Sequence, residues 1–280
     1  PAMGRFPNME DINDSPIVRN GNSPILGSDH GTEHGPVDFE PMPKSADPTH
    51  VFDVGRHDAV TAIALQKGNA EYYRSWEKAN GIDDGAPLLV KLNGNSNLAA
   101  RDDYYSPKQC SVRYAVEELG ADAIGYTMYA GSTHEDEMWK EFRDVQEAAR
   151  KYGIPVVMWS YPRGKGIQNS EEYSGQTDPK VVAYGARLGL ELGADVVKCK
   201  YPGTQDGWQQ LEDVVGGMKT VMSGGSKRSD EAFLEDVFST IEVGGNGLAV
   251  GRNIFQREDP EGLLDKLEAV IFEDENPDEL

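Results

Sequence analysis

Two lysines two positions apart, Lys198 and Lys200, stand in the run Ala194-Asp195-Val196-Val197-Lys198-Cys199-Lys200-Tyr201. Side chains alternate between the faces of a strand, so both amines share one face while Val197 and Cys199 take the other. An ammonium in a strand buried on both sides must be paired or lose its charge. Two like charges about 7 Å apart at an effective dielectric near 20 repel by ~2.4 kcal/mol, and desolvation adds to this. The deeper amine, Lys198, is therefore expected to deprotonate more easily, the state in which an amine attacks a carbonyl to form a Schiff base. A structural ion pair with an inward carboxylate such as Asp29 is the competing reading.

Other runs end in chemistry of the same kind. Met158-Trp159-Ser160-Tyr161-Pro162-Arg163-Gly164 places Trp159 and Tyr161 on one face, where a phenol can exchange a proton and an indole can exclude water. The pair could equally cap a core. Arg163 offers a fork for phosphate or carboxylate. Asp29, Lys67, Lys91, Tyr126 and Tyr129 lie at or near the ends of earlier runs. Ser223-Gly224-Gly225 and Gly251-Arg252 close the last two, and backbone N–H groups without Cβ atoms in the way suit a phosphate. His30 and His34 are spaced i,i+4, but Gly31, Gly35 and Pro36 argue against a helix there, and no third strong ligand is near. No metal is expected.

These residues need a scaffold that brings many strand ends to one place. Eight strand-length apolar runs recur: 23–29, 59–66, 87–92, 123–128, 154–159, 194–199, 220–223 and 248–250. Helical stretches lie between them, among them 110–119, 135–152, 179–192 and 230–243, each followed by glycine. Strands buried on both faces and separated by crossover helices are parallel, and eight such units in about 250 residues fit a closed (β/α)8 TIM barrel with chemistry at the carboxyl ends. A doubly wound open sheet is the alternative, weakened because no G-x-G-x-x-G follows the first run. The division expected is a polar lead over 1–22, one barrel domain over 23–271 and an acidic tail over 272–280.

The 280 residues carry 48 acidic and 27 basic side chains, a net charge of −21, and are 38% hydrophobic. A surface of that charge repels nucleic acid and anionic membranes, so neither is an expected partner. Apolar runs such as 87–90 and 154–159 fall far short of the roughly 20 residues a membrane helix requires. The polar start does not resemble a secretory signal, and a cytoplasmic location is expected. Cys110 and Cys199 form no C-x-x-C pair and suggest neither a disulfide framework nor a thiolate cage. So acidic a chain suits concentrated salt, where a Debye length near ~3 Å screens self-repulsion.

Six stretches together carry a family resemblance: SDHGTEHGPVDF at 28–39, LLVKLNGNSNL at 88–98, VVMWSYPRGKG at 156–166, GADVVKCKYPG at 193–203, MSGGSKRSDEAFL at 222–234 and LAVGRNIFQRED at 248–259. From about residue 24 to 258 the chain resembles the archaeal-type class I fructose-1,6-bisphosphate aldolases. The resemblance implies a (β/α)8 barrel, metal-independent Schiff-base chemistry on sugar phosphates and a homo-oligomer, a decamer in the family. Carried across, Lys198 matches the Schiff-base lysine, Tyr161 the general acid/base, Trp159 its neighbour over the substrate and Asp29 the acidic residue of the first strand. Ser223, Gly224, Gly225, Gly251 and Arg252 match the phosphate loops; Arg163, Lys91 and Lys200 complete the candidate substrate-binding set. Pro202 departs from the family, which commonly has Thr there. A sister group makes 2-amino-3,7-dideoxy-D-threo-hept-6-ulosonate, but its members tend to lack the Trp of W-x-Y and the second Lys of K-x-K; Trp159 and Lys200 favour the aldolase. A non-enzymatic sugar-phosphate-binding barrel would not need the Lys, Tyr and Asp together.

Overall fold

In the computed structural model, which describes residues 11–280, each of the eight expected runs overlaps a strand. They are β1 (Ile25–Ser28), β2 (Ala62–Gln66), β3 (Leu88–Lys91), β4 (Ala123–Met128), β5 (Val156–Ser160), β6 (Val196–Lys200), β7 (Lys219–Ser223) and β8 (Leu248–Val250). They pair in chain order, all parallel, and β8 returns to β1 to close a barrel. The helices are α1 (Gly31–His34), α2 (Pro48–Val54), α3 (Lys67–Asn80), α4 (Val112–Glu117), α5 (Glu135–Tyr152), α6 (Lys165–Gln168), α7 (Pro179–Leu192), α8 (Gln205–Glu212), α9 (Asp230–Glu242), α10 (Arg252–Phe255) and α11 (Pro260–Phe272). Among the described residues, no helix is long and apolar enough to cross a membrane.

Local sequence explains the longest crossover. α5 opens on Glu135, Asp136 and Glu137, ends with Arg150 and Lys151, and stops at Gly153 in the left-handed conformation. Acid at the first turn and base at the last both complement the helix dipole. Met138, Phe142, Val145 and Ala149 form its buried stripe.

Strand alternation divides the core in two. Val197, Cys199, Tyr126 and Met158 belong to the layer between strands and helices, while Ala64, Leu89, Val157, Trp159, Val196 and Val221 fill the barrel itself. The Trp159 indole fits because position 125 is glycine; a Cβ there would lie 2.6 Å from the indole ring.

Of the polar lead expected over 1–22, residues 1–10 lie outside the described residues. The remainder covers the amino-terminal mouth of the barrel. Ile17 is wholly buried within the interior cluster, its carbonyl accepting from Ser23 Oγ at 2.7 Å, and Lys219 Nζ donates to the Gly21 carbonyl at 2.6 Å. At the other end of the chain, the turn Pro277–Glu279 packs against α9.

Candidate active site

The opposite mouth opens on a cavity of about 140 Å³, lined by the ends of β1, β5, β6, β7 and β8. Of the twelve site residues expected from sequence, eleven line it: Asp29, Trp159, Tyr161, Arg163, Lys198, Lys200, Ser223, Gly224, Gly225, Gly251 and Arg252. Lys91 lies below it, fully buried, with its Nζ 3.3 Å from Asp29 and 3.9 Å from Glu33.

Lys198 faces the cavity from β6 at 7% exposure, its Nζ 4.8 Å from the centre of a Trp159 ring and 6.0 Å from that of Tyr161. Among the described residues it has no carboxylate in salt-bridge range; the inward Asp29 pairs with Lys91 instead. Burial pushes the Lys198 amine below the ordinary lysine range, opposed by Asp29 and Glu33 and assisted by Arg252. The mutual repulsion expected between Lys198 and Lys200 is not the cause. Lys200 sits at the rim, lowered to about 8 by partial burial and by Arg163 and Arg252. Burial disfavours the charged form of both amines, and it is this desolvation rather than their mutual repulsion that sets the two shifts.

Burial alone would raise Asp29, but Lys91, then Lys198 and His30, outweigh it and hold the carboxyl below its usual range. Asp29 is thus an anion facing a reluctant amine. Burial also raises the Tyr161 phenol, opposed by Arg163 and reinforced by Asp29 and Glu33. The Arg163 guanidinium lies 4.8 Å from the Tyr161 ring centre and is fixed by Nε donating to Gln176 at 2.8 Å. A buried amine that gives up its proton more readily than an ordinary lysine, with a phenol and an anionic carboxylate beside it, can add to a ketone and move the protons this requires.

The two glycine loops are tied together. Asn253 Nδ2 donates to the carbonyls of Gly224 (2.8 Å) and Ser226 (3.1 Å), while its Oδ1 accepts from the Arg228 backbone at 2.9 Å. Gly251 is a close approach between strands: a Cβ there would stand 2.1 Å from the Gly27 carbonyl oxygen. Gly251→Ala is expected to destabilise the protein by about 1–3 kcal/mol, read as a lower urea midpoint at unchanged slope. Gly68→Ala, with open space around it, is the control.

Three sequence expectations need correction. Residues 31–34 do form a helix, a single turn that Gly35 ends at φ 77°; one turn tolerates the glycines that a longer helix would not. The turn aims Glu33 and both histidines at the cavity, a role sequence reasoning missed although the segment had drawn attention. Lys67 and Tyr126 are not at the mouth. Lys67 starts α3 and faces Glu71 and the Tyr114 ring, and Tyr126 points outward to donate to Glu141 at 2.9 Å. Tyr129 is nearer, donating to Glu33 at 3.4 Å. Pro202 does not line the cavity but lies against the first turn of α8, where a Cβ at Gly207 would be 2.8 Å from its ring. Among the described residues, no group of three or more His, Cys, Asp or Glu side chains could hold a metal ion.

A family model described as DeoC/LacD family aldolase matches residues 24–257. A relative from Halobacterium salinarum, called fructose-bisphosphate aldolase class 1, is 52% identical over 272 residues, 97% of this chain and 98% of the relative. One of the same name from Thermoproteus tenax is 42% identical over 257 residues, 91% of this chain and 92% of its own. A solved structure of a Schiff-base-forming fructose-1,6-bisphosphate aldolase superposes with TM-score 0.82 at 38% identity, covering 91% of this chain and 96% of that one. An archaeal fructose-1,6-bisphosphate aldolase, its catalytic Lys bound to the carbinolamine intermediate, superposes with TM-score 0.80 at 39% identity, covering 90% of this chain and 94% of its own.

Proposed function

From the premise that this chain belongs to the DeoC/LacD aldolase family, we propose that it is a class I fructose-1,6-bisphosphate aldolase whose Schiff base forms on Lys198. The observation that carries this reading is the Lys198 amine itself: buried, without an ion-pair partner among the described residues, and facing the cavity beside Tyr161 and Asp29.

Lys198 Nζ attacks the C2 ketone of the open-chain sugar, and the carbinolamine takes up a proton and loses water to give a protonated imine, a proton returned when the imine is hydrolysed. The C4 hydroxyl proton is relayed through Tyr161, whose phenol hands its own proton to the Asp29 carboxylate as it takes the new one, while the C3–C4 bond breaks and its electron pair enters the iminium to form an enamine. Glyceraldehyde 3-phosphate leaves. Protonation at C3 and addition of water then release dihydroxyacetone phosphate and restore the amine. The iminium is the electron sink, so the chemistry needs no metal. Trp159 walls off the imine from water. Arg252 with the Ser223-Gly224-Gly225 and Gly251 backbone takes one phosphate, and Arg163 with Lys200 takes the other. Lys91 acts indirectly, keeping Asp29 ionised. Phosphate binding at both ends holds the chain extended for cleavage.

The acidic composition and the Halobacterium salinarum relative support work in concentrated salt; a cytoplasmic location and a homo-oligomer, a decamer in the family, complete the proposal. The decisive experiment is borohydride reduction with dihydroxyacetone phosphate present, followed by peptide mass spectrometry. A single adduct on the peptide containing Lys198 is expected; an adduct elsewhere, or none, would sink the assignment.

A further inference from the structure

Asp38 presents a carboxylate, 12% exposed, beside Arg252, the guanidinium expected to meet a phosphate. An anion in that place weakens phosphate binding unless it serves some other end. Its contacts are uneven. Oδ2 accepts from His34 Nδ1 at 2.6 Å and lies 3.7 Å from His30 Nε2, whereas Oδ1 meets Arg252 through Nη1 alone, at 3.4 Å. A bidentate pair at about 2.8 Å would have neutralised the arginine. The single long contact fixes the direction of the guanidinium and leaves most of its charge for a ligand. The turn bearing Asp38 is itself pinned, because the Gln256 side-chain amide donates to the Asp38 carbonyl and the neighbouring Phe39 ring lies 6.5 Å, centre to centre, from that of Phe255.

We propose that Asp38 is a positioning residue for anion binding: it aims Arg252 at the cavity through one nitrogen, while His34 draws the rest of its charge away. The proposal rests on the reading that Arg252 holds a substrate phosphate. His34 then acts only through Asp38. Without His34, the carboxylate turns its whole charge on Arg252; without Asp38, His34 has nothing to share.

The test is a double-mutant cycle on the intact protein, with inorganic sulfate as probe, followed by calorimetry. Asp38→Asn is expected to weaken sulfate binding about tenfold and to raise KM for fructose 1,6-bisphosphate similarly, with kcat within about twofold. His34→Ala should weaken sulfate about threefold, and the double variant should match Asp38→Asn alone. Asp38→Asn binding sulfate as tightly as wild type, or the two losses combining in full, would overturn the proposal. If circular dichroism finds Asp38→Asn unfolded, His34→Ala decides, and unchanged sulfate affinity there refutes it. Sulfate binding involves no turnover. A wild type that shows the full sulfate pattern yet cleaves no sugar bisphosphate therefore removes the aldolase reading and leaves the role of Asp38 standing.

Discussion

Lys198→Met abolishes aldol cleavage and leaves the protein at least as stable as wild type: that is the expected pair of results at the centre of the site. Activity falls by about four orders of magnitude or more, the scale on which a covalent nucleophile is missed. The stability half follows from the sign of the amine's shift. Burial holds Lys198 below the ordinary lysine range, so the unfolded chain binds the proton more tightly than the folded one. Stability is then penalised as pH falls below the ordinary lysine value, and the penalty is complete below the folded value. Methionine conserves volume and carries no charge, and Asp29 keeps Lys91 as its partner. Urea titrations near neutral pH check this directly. A large loss of stability would mean that Lys198 serves the fold, and the catalytic assignment would lose its main support. A residue whose removal stabilises is one retained for function.

Tyr161→Phe is expected to lower kcat by about 10²–10⁴-fold, the usual contribution of a positioned proton-transfer group, while an imine still forms. Burial, with Asp29 and Glu33, raises the phenol above its ordinary range, against the pull of Arg163, so Tyr161 meets the C4 hydroxyl as a protonated phenol that relays a proton. The variant keeps Lys198 and the phosphate-binding groups, so borohydride with dihydroxyacetone phosphate should still label the lysine stoichiometrically. Loss of the adduct together with turnover would place Tyr161 in imine formation rather than in carbon–carbon cleavage.

The barrel was legible in the sequence because eight buried parallel strands impose short apolar runs with crossover helices between them, as the runs 123–128 and 194–199 illustrate. The shared face of Lys198 and Lys200 was legible for the same reason, since a period of two needs only the strand itself. What failed was anything set by the phase of a strand within the barrel. Tyr126 ends up outside and Trp159 inside, though both stand near run ends; a run shows that its faces differ, not which of them turns inward. Lys67 was misplaced because a helix begins at the residue where its strand stops. The pairing of Asp29 with Lys91 rather than Lys198 depends on spatial neighbours far apart in sequence. His34 meets Asp38 at the local spacing i,i+4 and His30 lies near it, but the contact of Asp38 with Arg252 is made across the barrel mouth, and no local spacing encodes that one.

Closure of the amino-terminal mouth by Ile17 and the Gly21–Lys219 contact makes the reaction chamber, among the described residues, a vessel with one doorway. The two fragments must leave by the path the intact sugar took in. On the proposed mechanism the three-carbon piece tethered to Lys198 is still at the bottom when the aldehyde is set free, so the aldehyde departs first. Release order is thus fixed by the plumbing of the vessel as much as by the lifetime of the enamine. An aldehyde slow to clear the doorway would be recaptured, and reversal is built into the shape of the chamber.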